Sequence, residues 1–150
     1  GSAVLRAEYA FQPDRTFNTR SIGSLDTIGL DQHRAAIGLD IDGPLGVFVN
    51  VQYLVDTIAA APDDLVRPDR DRVATLYLRR SFAYDSVILS ARWYHSFTDD
   101  DDLAAVSLEH EINDSTSIEL AAQFFSGIEA GLFGQFRDRD RLTLSLSHTF

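Results

Sequence analysis

The feature that most constrains this chain is an alternation of apolar and polar side chains, which runs through most of its 150 residues and is clearest at the end. From Asp140 to Phe150 it is unbroken. Leu142, Leu144, Leu146, His148 and Phe150 fall on one face of an extended strand, and Arg141, Thr143, Ser145, Ser147 and Thr149 fall on the other. A helix needs a period near 3.6, and no segment reads convincingly as an amphipathic helix. No window of about 18 apolar residues exists, so a transmembrane helix is excluded, whereas a spanning strand needs only about 9–11 residues, half of them polar.

The alternation predicts eight strands, roughly 3–12, 32–42, 45–57, 72–83, 86–98, 103–112, 116–126 and 140–150. Their connections alternate in length. Asp42-Gly43-Pro44, Tyr84-Asp85-Ser86 and Asn113-Asp114-Ser115 are compact turns, while the segments 13–31, 58–71, 99–102 and 127–139 read as longer, more charged loops. The length suits a single domain, 1–150, with Gly1-Ser2 read as a cloning remnant. An internal repeat of 3–83 in 86–150 is suggested by AAIGLDID at 35–42 beside AAVSLEHE at 104–111, and by TLYLRRSF at 75–82 beside TLSLSHTF at 143–150.

Composition narrows the function classes. The absence of cysteine rules out a disulfide framework and thiolate metal sites. A net charge of −10 argues against nucleic acid, which needs clustered Lys and Arg. The apolar face includes Leu5, Tyr9, Ile37, Leu39, Val51, Leu76, Trp93, Leu108, Leu120 and Phe124. The opposite face carries Arg6, Glu8, Asp40, Asn50, Gln52, Tyr77, Arg79, Arg92, Glu109, Glu111 and Glu119. In a soluble barrel the apolar face would be the core; in a membrane barrel it would meet lipid. Volume favours lipid, because an eight-strand barrel encloses little space. Acids mixed with arginines, and no lysine, suit an enclosed polar network better than a solvated surface.

A strand apolar on one side, polar on the other and closed by a terminal aromatic resembles the C-terminal assembly signal of bacterial outer-membrane β-barrel proteins. Its residues here are Leu142, Leu144, Leu146, His148 and Phe150, with His148 where the family usually has tyrosine. The ending GLFGQFRDRDRLTLSLSHTF at 131–150 likewise looks like the closing strand of larger porin-like channels. The resemblance implies an all-β fold, an eight-stranded antiparallel up-and-down transmembrane barrel with short periplasmic turns and long extracellular loops, complete in itself or half of a larger porin-like barrel. It implies a place in the bacterial outer membrane, and a structural or passive-transport role with no catalysis and no cofactor. Its partners would be outer-membrane lipids and lipopolysaccharide, the barrel assembly machinery and periplasmic chaperones.

Within such a barrel, Arg6, Glu8, Asp40, Arg79, Arg92, Glu109, Glu111 and Glu119 are expected to form a lumenal charge network. In a narrow barrel it acts as a plug; in a wide one it becomes a constriction that selects solutes. Tyr9, Phe11, Phe82, Trp93, Phe97, Phe124 and Phe150 suit aromatic girdles, and His110 and His148 suit polar anchors at the lower interface. His95-Ser96 invites comparison with lipid A deacylases, outer-membrane hydrolases that use a His, Ser and acid set. Their serine lies two residues after the histidine, and here adjacent residues face opposite sides. The acid runs Asp99–Asp102 and Asp63, Asp64, Asp69, Asp71 offer hard oxygen ligands for calcium or magnesium, but without the spacing of a dedicated site they read as solvated loops. A soluble lipocalin-like ligand-binding barrel is the remaining alternative, disfavoured by a missing Gly-x-Trp near the start and a polar interior.

Overall fold

A computed structural model of the protein describes residues 1–21 and 24–150. Eight antiparallel strands follow one another in a single sheet in chain order: β1 (Ala3–Ser21), β2 (Ser24–Asp42), β3 (Val47–Ile58), β4 (Arg70–Phe82), β5 (Val87–Ser96), β6 (Asp101–Asn113), β7 (Thr116–Ser126) and β8 (Arg141–His148). Every ladder joins sequence neighbours, as an up-and-down meander requires. Among the described residues no ladder joins β8 back to β1, so both are free edges, β1 being bonded on its outer side only at Asn18–Arg20, by Asp64 and Val66. Short turns connect β2–β3, β4–β5 and β6–β7 at one end. At that end Ala83, Tyr84 and Asp85 all take positive φ, an expensive arrangement for residues other than glycine, and it reverses the chain within a few residues.

One expected loop is a strand pair. The segment 13–31 continues the β1–β2 hairpin beyond the sheet, and its tip at 22–23 lies outside the described residues. A bulge explains why Pro13-Asp14 looked like a loop start. Gln12 pairs with Gln32 and Arg15 with Leu30, so Pro13 and Asp14 together oppose Asp31; the bulge absorbs proline's missing N–H and lets the ladder resume. The Asp14 amide then donates to the Asp31 carboxylate at 3.0 Å. A second correction is smaller: Asp101 and Asp102 open β6 instead of ending a loop.

The register puts the two expected faces where the alternation places them. Leu5, Leu39, Val51, Leu76, Trp93, Ala104 and Phe124 form one continuous row across β1–β7. Leu89, Leu108, Leu120 and Leu144 form another across β5–β8. These apolar side chains are not a core. Leu108 is 45% exposed and Leu120 46%, and on the free edge Leu142, Leu144 and Leu146 reach 73%, 69% and 72%. Among the described residues the buried apolar side chains are Phe17, Ile58 and Leu65, a small cluster where the β1–β2 extension packs on the 59–69 loop. That contact is tied down by Arg20 N–H to Asp64 C=O at 2.7 Å and Val66 N–H to Asn18 C=O at 3.0 Å. Among the described residues no helix is long and apolar enough to cross a membrane, which says nothing of strands.

Candidate functional site

The chemistry of this chain lies on the polar face, where successive strands contribute side chains in rows two residues apart. One row runs Asp40, Asn50, Tyr77, Arg92, Ala105, Gln123 and Arg141. Asn50 is nearly buried and donates to Asp40, which also receives Arg6 at 2.9 Å. Arg92 lies over the ring of Tyr77 at 5.3 Å. Two rows nearer the short turns, Glu109 and Glu119 stand directly opposite each other, an unfavourable juxtaposition of like charges.

All eight residues expected in the charge network share this face, but the register brings only Arg6 and Asp40 into an ion pair. Arg79 aligns with Ser90 and Ser107 instead of an acid, and Glu8 and Glu111 align with Ala36 and Ser117. A denser network that the sequence did not reveal sits toward the long loops. Gln32, fully buried, donates to both Asp56 oxygens at 2.6 Å and accepts from Arg15. Arg34 and Arg67 reach the same carboxylate at 3.3 and 3.2 Å. One carboxylate on β3 thus orients three donors, two from β2 and one from the 59–69 loop, an arrangement suited to guanidinium forks.

The most built feature is the loop between β7 and β8. Residues 127–140 turn onto the polar face, bringing Phe133 within 6.2 Å of the Tyr94 ring and Phe136 within 5.6 Å of Phe125. Its latch is Asp101, fully buried, whose Oδ2 accepts the backbone N–H groups of Phe133 at 2.5 Å and Gly134 at 3.0 Å. Three glycines make this closeness feasible. A Cβ on Gly127 or Gly131 would run into Asp101, and one on Gly134 into the Ile128 carbonyl. Gly127 also holds φ at +125°, a region closed to other residues. Gly127→Ala is therefore expected to cost about 1–3 kcal/mol from the backbone alone, read as a fall in the urea midpoint, with Ser126→Ala as the near-neutral control.

The histidines decorate the opposite, apolar face. His95 stacks on Trp93 at 5.6 Å, meets Phe97 edge-on at 4.5 Å and contacts Asp102 at 3.0 Å. Asp102 also accepts the Trp93 indole N–H at 2.8 Å. Ser96 points the other way, is 1% exposed and accepts the Asp99 amide, so His95 and Ser96 do not meet. His33 pairs with Tyr9 at 2.7 Å and with the Phe11 ring at the same long-loop end. His110 and His148 lie at the short-turn end, near the Ser86 carbonyl and the Thr116 hydroxyl. Leu142, Leu144 and Leu146 share the apolar face with His148 in β8, while Phe150 lies just beyond the strand, edge-on to the His148 ring at 4.8 Å. The acid run 99–102 splits, Asp101 to the polar face and Asp102 to the apolar one. Among the described residues no three His, Asp or Glu side chains converge as metal ligands.

Between the polar face and the inward loop lies a pocket of about 630 Å³, walled by Ala36, Leu54, Val73, Tyr94, Leu132 and Phe133 and rimmed by Arg34, Asp56 and Asp71. No protein-family model matches the chain, and neither a curated protein nor a solved structure is significantly similar to it.

Proposed function

We propose that the sheet is an arc of a bacterial outer-membrane β-barrel wider than eight strands, and that its polar face lines a passage for small solutes. The observation that carries this reading is the pairing of a continuous, solvent-exposed apolar face with a polar face that receives a folded loop. Water penalises so much uncovered apolar area, whereas hydrocarbon does not. The aromatic and histidine side chains at the two ends of that face suit the interfaces of a bilayer. From Val87 to His95 the apolar stretch of β5 spans eight residue steps, about 26 Å along the strand and about 20 Å once tilted, close to the height of a barrel's apolar band.

Width follows from the contents. An eight-strand barrel is filled by its own inward side chains. Here the polar face also takes Leu132, Phe133 and Phe136 and still leaves the 630 Å³ pocket. The free edges β1 and β8 are where further strands would pair, and outer-membrane lipids, lipopolysaccharide and the assembly machinery would be the partners of the finished barrel. The inward loop would narrow the passage, and the surplus of acids over arginines would favour cations. Reconstitution in planar bilayers tests this directly. Stepwise currents with cation preference are expected; silence, or a preference for anions, overturns the passage, and a water-soluble folded monomer without detergent overturns the membrane reading.

A further inference from the structure

The pocket beneath the inward loop differs from the rest of the polar face in having an apolar floor. Ala36, Leu54 and Val73 lie side by side on β2, β3 and β4, with Glu8 of β1 at the outer end of the same row, and the three apolar residues make a shelf about 10 Å across at the usual strand spacing. Tyr94 and Phe133 close one end with their rings. The next row up carries Arg34, Asp56 and Asp71 in the same three strands, about 7 Å along the strand direction. A molecule lying across both rows must therefore be apolar over one half and polar over the other.

The charged row also states which polar group is missing. Asp56 is saturated by Gln32, Arg34 and Arg67. Asp71, which lines the same pocket, reaches only Arg67, at 4.0 Å through Oδ2, and its side chain remains 36% exposed. Its accessible oxygen is thus free to take a charge-assisted hydrogen bond, for which the strongest donor is a cation. Arg34, by contrast, already has the Asp56 carboxylate at 3.3 Å, so it makes less demand for an anion. The net charge of −10 adds a long-range bias in the same direction.

We propose that this pocket is a binding site for amphipathic organic cations, primary ammonium compounds with a compact aromatic or branched aliphatic body. The body rests on Ala36, Leu54 and Val73 against the Tyr94 and Phe133 rings, and the ammonium donates to Asp71. An ammonium two carbons from a ring roughly spans the distance between the two rows. The volume of about 630 Å³ falls within the range of small-molecule sites.

The proposal rests on the passage reading only in taking the polar face as reachable from solvent, and its test needs no bilayer. Calorimetric titration of the folded protein with phenethylammonium is expected to saturate, with phenylacetate, the same ring bearing an anion, about tenfold weaker or worse. Asp71→Asn should weaken phenethylammonium by about tenfold and leave phenylacetate unchanged. Measuring both proteins in the same detergent cancels partition into micelles. Equal binding of the two ligands by the unaltered protein overturns the proposal, and so does unchanged amine binding in a folded Asp71→Asn. Amine binding without bilayer current removes the passage and keeps the site, whereas current without amine binding does the reverse.

Discussion

Val106→Arg is expected to lower the folding free energy in lipid vesicles by about 2–4 kcal/mol, the cost of a guanidinium near the middle of a barrel's lipid face. Val106 sits between Ala91 and Ala122 in the middle apolar row, two rows from His110 on one side and two from His95 on the other. Its neighbour provides the control. Ser107 faces the polar side, where its hydroxyl meets Ser90 at 2.8 Å, and Ser107→Arg should change stability by about 0.5 kcal/mol or less. Urea titrations in phosphatidylcholine vesicles, followed by fluorescence of the single tryptophan, Trp93, measure both. Equal losses at the two positions would remove the distinction between a lipid face and a water face. Folding to the same state without vesicles would make the apolar face a core.

The second large effect is expected at the loop latch. Asp101→Ala leaves the Phe133 and Gly134 amides without their acceptor in a buried place, about 1–3 kcal/mol for each group if the loop stays and less if it leaves. The cheaper outcome is release. The variant should be cut by trypsin after Arg137 and Arg139 under conditions that spare the parent, and in bilayers it should pass more current. Asp101→Asn keeps a carbonyl oxygen at the same place and should stay resistant. Identical cleavage of the alanine variant and the parent would show that the loop is held by something else, with the aromatic contacts to Tyr94 and Phe125 the next place to look.

The strands were legible because apolar and polar side chains on opposite faces leave a period of two in the chain, and that signal is local. Its local character also explains what was missed. Pro13, Asp14 and the polar residues after them carry loop composition, yet a bulge lets Arg15 pair with Leu30 and the hairpin goes on. Register is a different matter. Whether Arg79 meets an acid or a serine depends on how β4 slides against β5, and nothing in either segment states it. The latch needs more still, since Asp101 and Gly134 are 33 residues apart and meet only when a loop folds back. A signal existed: Gly127, Gly131 and Gly134 interleaved with Leu132, Phe133 and Phe136 are apolar and tightly turning for a solvated loop. The acid run around Asp101 drew attention to cation chemistry, and the true role of that carboxylate is to hold two backbone amides.

The free edges β1 and β8 carry a consequence for the order of events in assembly. In the membrane reading, roughly half of the backbone groups along each edge have no partner, and hydrocarbon charges several kcal/mol for every one left unpaired. An eight-strand arc with both seams open thus has no comfortable resting place inside a bilayer, however well its seven inner ladders are formed. Entry into the lipid and pairing of the two edges would have to be a single step. The time the chain spends outside the membrane would then be set by how fast β1 and β8 find their neighbours, and chaperones would be needed for that interval alone.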